Sequence, residues 1–129
     1  MIIDTSAIMV MLLAEPEQDD FARKLGTAGV RRISAGTWIE LTVVTTRRAD
    51  DRLLKGLEAL CATFPFEIMP TTVEQARIGA EAYRTYGAGS RHRAHLNFGD
   101  CFAYALAKAT GDSLLFKGND FIHTDIVPA

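Results

Sequence analysis

Short apolar runs alternate with longer amphipathic segments along the whole chain, and this alternation restricts the fold more than any other feature. A short apolar run suits a buried strand, whereas a segment with apolar residues every three or four positions suits a helix. Strands that alternate with helices pair in parallel and are covered by helices on both faces. We therefore predict an α/β/α sandwich of three layers with a central, mainly parallel, twisted sheet of four to five strands. The predicted strands lie at 1–3, 30–34, 64–69, 113–117 and 125–127.

The predicted helices begin at residues that favour helix starts. One begins near Thr37, where Thr37 and Glu40 have the spacing of a capping box. Another begins at Thr72, and a long apolar helix spans 99–109. The helix that begins at Thr72 is expected to face inward with Val73, Ala76, Ile78, Ala80 and Tyr83.

The composition indicates one folded domain over 1–129. Hydrophobic residues make up 48% of the chain and charged residues 23%, which is typical of a globular core and not of disorder. The formal net charge of −2 excludes a protein that holds nucleic acid by charge alone. Any contact with nucleic acid must then be local or assisted by a metal ion.

The cysteines and the start of the chain indicate a cytoplasmic protein. Cys61 and Cys101 lie in apolar stretches and lack the spacing of a zinc site or a disulfide framework. No basic segment follows Met1, and no apolar run has the length of a membrane span. We therefore expect neither a signal peptide nor a transmembrane helix.

Four acidic residues follow predicted strands or open predicted helices: Asp4, Glu40, Asp100 and Asp120. Each has a structural role when taken singly, as a helix cap, a capping box, a helix-start charge or a turn residue. We expect all four side chains to lie close together, because ligand sites of open α/β sheets lie beyond the carboxyl ends of the strands. Carboxylates near an apolar interior need cations or hydrogen-bond donors, and few basic residues neighbour them. Oxygen ligands favour a hard ion, so the sequence predicts a Mg²⁺ site that Mn²⁺ could also fill.

Four segments of the chain, in order, resemble the motifs of PIN-domain ribonucleases, and specifically of the VapC-type toxins of bacterial toxin–antitoxin pairs. The resemblance implies a PIN-like fold over essentially the whole chain, and an acidic quartet made of Asp4, Glu40, Asp100 and Asp120 with Ser6 beside it. Asp125 is an alternative to Asp120 as the fourth acid, since this region varies within the family. The segments are Met1-Ile2-Ile3-Asp4-Thr5-Ser6-Ala7, Thr37-Trp38-Ile39-Glu40, Leu96-Asn97-Phe98-Gly99-Asp100-Cys101-Phe102-Ala103-Tyr104-Ala105-Leu106-Ala107 and Leu114-Leu115-Phe116-Lys117-Gly118-Asn119-Asp120-Phe121.

The resemblance also implies an activity and partners. A VapC-type toxin cleaves RNA with a divalent metal ion, inhibits translation and is neutralised by a small VapB-type antitoxin. The resemblance further implies a self-association face that gives a homodimer, and a groove that binds an antitoxin segment. The expected antitoxin would present Arg or Lys to the carboxylates and displace the ion. The apolar surface expected to serve these contacts contains Ile8, Met9, Met11, Leu12, Leu13, Leu53, Leu54 and Leu57.

A basic cluster surrounds the glycine-rich stretch 87–93 just before Asp100. These side chains could grip RNA phosphates, or they could belong to a solvated loop, and the sequence leaves both interpretations open. Lys117 is placed near the predicted site in the same way. The cluster consists of Arg84, Arg91, His92, Arg93 and His95.

Two other functions remain as alternatives. A haloacid-dehalogenase-like phosphohydrolase would use Asp4 as nucleophile and Asp112 in a later acidic motif. That chemistry also needs a second acid two residues after the nucleophile, where this chain has Ser6. A non-catalytic PIN-like binding domain could instead keep the acidic pocket as a metal-stabilised scaffold.

Overall fold

The computed structural model describes residues 1–129 and contains one sheet of four parallel strands. The strand order is β3-β2-β1-β4, so the chain starts in the middle of the sheet. The predicted strand at 125–127 is wrong: no strand forms there, and the adjoining Pro128 makes only an isolated bridge with Leu114. The strands are β1 (Ile2–Ile3), β2 (Arg32–Ser34), β3 (Glu67–Met69) and β4 (Leu114–Leu115).

Six helices cover the two faces of this sheet, which gives the predicted α/β/α arrangement. The helices are α1 (Thr5–Leu12), α2 (Gln18–Thr27), α3 (Ala35–Arg47), α4 (Asp51–Thr63), α5 (Val73–Tyr86) and α6 (Asp100–Thr110). None of them is long and apolar enough to cross a membrane.

Alternate residues of the strands enter two separate hydrophobic cores. Ile3 and Leu115 belong to the core under α1 to α4, whereas Ile2 and Leu114 belong to the core under α5 and α6. All four side chains are at most 1% exposed. Because successive strand residues point to opposite faces, both cores are anchored on the same two neighbouring strands, β1 and β4.

The helix α3 begins at Ala35, two residues earlier than the sequence predicts. Ser34, the last residue of β2, caps it by accepting a hydrogen bond from the backbone N–H of Gly36 at 3.3 Å. Thr37 therefore lies inside the helix, and the capping box between Thr37 and Glu40 is wrong. The physical reason for this difference is that serine caps a helix as well as threonine does, and Ser34 precedes Thr37 in the chain. Glu40 is thereby released from a capping role.

The inward face of α5 also differs from the prediction. Val73 and Tyr83, expected inside, are 73% and 44% exposed. The buried positions are Gln75, Gly79 and Ala82, which lie on one face of the helix. A Cβ at Gly79 would approach the backbone oxygen of Cys101 to 3.1 Å, so small residues allow α5 to pack closely on α6. Close backbone packing selects small side chains at this interface, against the hydropathy pattern.

The apolar surface expected on α1 and α4 is mostly core. Ile8, Met9, Leu53 and Leu57 are at most 9% exposed. Of the expected residues, only Leu13 and Leu54 are more than one third exposed. These helices pack on each other and on α2 and α3, so a single small sheet absorbs more apolar area than the sequence suggests. One group of exposed apolar residues lies elsewhere, at Ile39, Val43 and Phe98, which line a common cavity.

Candidate active site

A cavity of about 200 Å³ lies at the carboxyl end of the strands and is lined almost entirely by polar residues. Asp4 follows β1, Asp100 opens α6, Glu40 lies on α3 and Asp120 lies in the turn after β4. All four predicted acids contribute to its wall. The lining residues are Asp4, Thr5, Ser6, Glu40, Asn97, Asp100, Lys117, Asp120 and Phe121.

Asp4 is 2% exposed and has one satisfied and one unsatisfied oxygen. Its Oδ2 accepts hydrogen bonds from the backbone N–H of Ser6 at 2.9 Å and from the Ser6 hydroxyl at 2.5 Å, so Asp4 caps α1. Its Oδ1 is buried and accepts no hydrogen bond. Burial raises the pKa of Asp4, the Ser6 hydrogen bonds oppose that shift, and the charge of Glu40 adds to it. The free oxygen lacks a positive partner.

The Ser6 hydroxyl ties two strand ends together. It donates to Asp4 and accepts a hydrogen bond from the backbone N–H of Lys117 at 3.0 Å. Lys117 follows β4, the neighbour of β1 in the sheet. Ser6 thus orients Asp4 relative to the segment that carries Asp120.

Asp100 and Asn97 hold each other in a reciprocal pair. The backbone N–H of Asn97 donates to Asp100 Oδ2 at 2.7 Å, and the backbone N–H of Asp100 donates to Asn97 Oδ1 at 3.0 Å. Burial raises the pKa of Asp100 to about 7, with smaller contributions from the charges of Asp4, Asp120 and Glu40. The Asn97 backbone hydrogen bond opposes this shift. The negative charges of Asp4, Asp120 and Glu40 thus act on Asp100, so the four carboxylates interact electrostatically.

Glu40 makes its contact across the fold. Its Oε2 accepts a hydrogen bond from the Thr5 hydroxyl at 2.6 Å, which joins α3 to the start of α1. The predicted capping role is replaced by this longer-range contact. The side chain contributes to the cavity wall beside Asp4 and Asp100.

The two candidates for the fourth acid lie in different places. Asp120 is exposed but lines the cavity with the other acids. Asp125 lies outside it, where it accepts hydrogen bonds from the Tyr104 hydroxyl at 2.6 Å and the Lys108 ammonium at 2.8 Å. The Lys108 ammonium lowers the pKa of Asp125, and the Tyr104 hydroxyl adds to that effect. Asp120 therefore has the geometry that suits the fourth position, and Asp125 has an independent structural role.

The predicted basic residues do not enter the cavity, apart from Lys117. Arg91 and Arg93 are exposed in the loop before α6, and the His92 ring packs edge-on against Tyr86 with centroids 4.9 Å apart. The Lys117 ammonium donates to Glu15 at 2.6 Å and Glu17 at 3.0 Å. The cavity acids consequently have no side-chain cation of their own.

The donor set fits a divalent cation. Carboxylate and hydroxyl oxygens predominate in the cavity wall, and the unpartnered Oδ1 of Asp4 supplies a buried acceptor that needs a positive partner. No group of three or more acidic, His or Cys side chains is arranged in this structure so that it could hold a metal ion. The acids share a cavity without closing into a finished ligand set.

Sequence reasoning missed two residues that organise the acids, Thr5 and Asn97. Asn97 could have been found, because an Asn three residues before a helix-opening Asp has the spacing of a helix-start hydrogen bond. Thr5 carries no such signal, because its partner Glu40 is distant in the chain. The Lys117 pairs with Glu15 and Glu17 were not predicted either.

Comparison with known proteins matches the chain to one family over nearly its whole length. The PIN-domain family matches residues 1–127. Ribonuclease VapC42 of Mycobacterium tuberculosis is 40% identical over 129 residues, which is 100% of this chain and 98% of that protein. Ribonuclease VapC28 of the same organism is 43% identical over 126 residues, covering 98% and 95%. The VapBC2 structure from Rickettsia felis, bound to a DNA fragment from its promoter, has a TM-score of 0.77 and 13% identity, covering 99% and 96%.

Proposed function

The chain belongs to the PIN-domain family and within it to the VapC ribonucleases, the toxins of toxin–antitoxin systems, and on this premise we propose that its acidic cavity is the RNA-cleaving site. The observation that carries the proposal is the group of four carboxylates in one cavity, none of which forms an ion pair with a side-chain cation. Asp4 and Asp100 are the proposed catalytic and metal-binding residues at its centre. Glu40 and Asp120 complete the proposed quartet, and Ser6 supports Asp4.

PIN-domain VapC ribonucleases are divalent-metal dependent, and we propose Mg²⁺ as the ion, with Mn²⁺ as a substitute. The hard oxygen donors of the cavity support this choice. A cation bound there supplies Lewis-acid chemistry for hydrolysis of a phosphodiester. The chain itself orients the carboxylates of Asp4, Asp100 and Glu40 through hydrogen bonds from Ser6, Asn97 and Thr5, respectively.

The substrate is proposed to reach the cavity past two basic regions. Arg91, His92 and Arg93 lie in the loop that leads to Asn97, and Arg91 and Arg93 have no acidic partner. Exposed, unpaired guanidinium groups are suited to RNA phosphates. Lys117 stands at the cavity itself, where its ammonium would exchange Glu15 and Glu17 for a phosphate.

We propose a VapB-type antitoxin as the inhibitory partner, with Arg or Lys entering the acidic cavity in place of the ion. An apolar groove of about 560 Å³ between α5 and α6, with Ala76, Gly79 and Phe102 in its wall, is suited to an apolar antitoxin segment. The Rickettsia felis structure is itself a VapBC complex, which supports this partner class.

A homodimer is proposed to form through the exposed apolar residues Ile39, Val43 and Phe98, which contribute to the wall of a third cavity, of about 380 Å³. Sedimentation velocity tests it, and a strict monomer at high concentration contradicts it. We further propose that residues 1–129 act as one domain in the cytoplasm. Two unpaired cysteines, Cys61 and Cys101, support that compartment.

An RNA-cleavage assay tests the proposed function. Purified protein incubated with total RNA is expected to cut in Mg²⁺ and to stop in EDTA. p-Nitrophenyl phosphate in the same buffer tests the phosphohydrolase alternative and is expected to remain intact. The position of Asp112, paired with Arg32 at 2.9 Å outside the cavity, already disfavours that alternative. RNA left intact under both conditions would support the non-catalytic binding domain.

A further inference from the structure

We infer that Thr5 and Gly99 form a seat for the carboxylate of Glu40, here called the Glu40 seat, and that this seat holds Glu40 in the acidic cavity. The inference rests on the proposed function of that cavity. It assigns positioning roles to two residues on opposite sides of one side chain.

Thr5 supplies the directed half of the seat. It is the first residue of α1 and is 8% exposed, and its hydroxyl donates to Glu40 Oε2 at 2.6 Å. A β-branched side chain in a helix has few χ1 rotamers, which limits the directions in which this hydroxyl can donate. A short hydrogen bond to a charged oxygen belongs to the stronger class.

Gly99 supplies the space. The backbone of Gly99 has φ −62° and ψ −42°, a helical conformation that any residue adopts. A Cβ atom at this position would overlap the carboxylate of Glu40 at Oε1 and Cδ. Glycine is therefore required here because the Glu40 carboxylate occupies the volume of a side chain.

Without the seat, Glu40 would be free to leave the cavity. It lies on a partly exposed face of α3, next to Ile39, which is 64% exposed. A glutamate side chain has three rotatable bonds and loses considerable entropy when it is fixed in one rotamer. Thr5 and Gly99 act through Glu40, so both are positioning residues.

Titration calorimetry of the full chain with Mn²⁺ tests the seat. Thr5→Val removes the hydroxyl and keeps the shape, and Thr5→Ser restores the donor. Gly99→Ala fills the space; because the overlapping atoms are the end of a flexible side chain, the expected result is displacement of Glu40 rather than unfolding. Gly29→Ala is the matched control, since nothing lies within 4 Å of a Cβ there.

Thr5→Val and Gly99→Ala are expected to weaken Mn²⁺ binding about tenfold, as loss of a partner that orients a ligand commonly does. Thr5→Ser and Gly29→Ala should bind within about twofold of wild type. In a Glu40→Ala background, Thr5→Val should produce no further loss. Equal binding by wild type and Thr5→Val, or an undiminished loss in the Glu40→Ala background, would overturn the seat. Failure of the wild type itself to bind Mn²⁺ would instead overturn the proposed metal site, so the two failures are distinguishable.

Discussion

The acids at the amino-terminal edge of the sheet are each paired with a cation, whereas the four cavity acids at the carboxyl-terminal edge share one cavity without such a pair. Arg32, which opens β2, binds both Glu67 and Asp112, at 3.2 and 2.9 Å. Lys108 binds Asp125 nearby at 2.8 Å. At the opposite edge the quartet in the cavity has no such partner.

This contrast separates carboxylates that serve structure from carboxylates that await a ligand. The pKa of Asp125 lies below its usual range because Lys108 stabilises its charge, whereas burial raises the pKa of Asp100 to about 7. The unpaired acids at the carboxyl-terminal edge lower the stability of the folded protein, because buried carboxylates without a positive partner are unfavourable. A bound cation at that edge would offset the loss.

The largest expected effect is on activity. Asp4→Asn and Asp100→Asn are each expected to lower metal-dependent RNA cleavage at least about 1,000-fold, because an amide cannot supply the negative charge that holds the ion. Asp125→Asn, the control at the opposite edge, should retain activity within about twofold. A quantitative cleavage assay checks this, and parental activity in Asp100→Asn would break the comparison.

The next effect is the pH dependence of metal-free stability. Asp100 has a pKa of about 7 in the folded protein against an ordinary 3.8, so the folded state binds the extra proton. Its contribution is therefore most favourable below about pH 4 and declines as pH rises toward 7. Asp100→Asn should gain about 2–4 kcal/mol relative to wild type between pH 4 and pH 8. Urea unfolding in EDTA measures this, and a pH-independent difference would contradict it.

Asp125 should behave in the opposite way and more weakly. Its pKa is lowered, so its stabilisation is present above an ordinary pKa of 3.8 and is lost as pH falls through its lower folded value. At pH 7, Asp125→Ala should cost about 1 kcal/mol through loss of the Tyr104 and Lys108 hydrogen bonds. The same urea series checks this, with Asp19→Ala as an exposed control. An increase in stability would show that the amino-terminal edge is not neutralised as described.

The smallest effect concerns the loop before α6. Arg91→Ala and Arg93→Ala should each weaken RNA binding about two- to threefold, and the loss should shrink with rising salt. Fluorescence anisotropy with the inactive Asp100→Asn variant separates binding from cleavage. Arg23→Ala, far along the chain on α2, is the control. Unchanged RNA binding in the loop variants would show that these two arginines do not contact RNA and belong to a solvated loop.

Much of the fold follows from local sequence, because strand and helix periods and the acids after them are local properties. The predictions from sequence are wrong where contacts between distant segments determine which residues are buried or where a helix begins. Close packing of α5 on α6 selects Gly79 over larger apolar residues, and Ser34 pre-empts the expected cap at Thr37. That the four acids would share one cavity could be predicted because each stands at a strand end or on a helix that follows one. The role of Thr5 could not be predicted, since it is a contact between separate helices.

Thermal unfolding with and without Mg²⁺ tests the central claim most directly, that the uncompensated acids of the carboxyl-terminal edge form a cation site. Wild type and Asp125→Asn should gain about 5–10 °C in Tm at saturating Mg²⁺. Asp4→Asn and Asp100→Asn should gain little, yet be at least as stable as wild type in EDTA, because removing one charge relieves repulsion. Equal Mg²⁺ shifts in all four proteins, or none in wild type, would contradict the account.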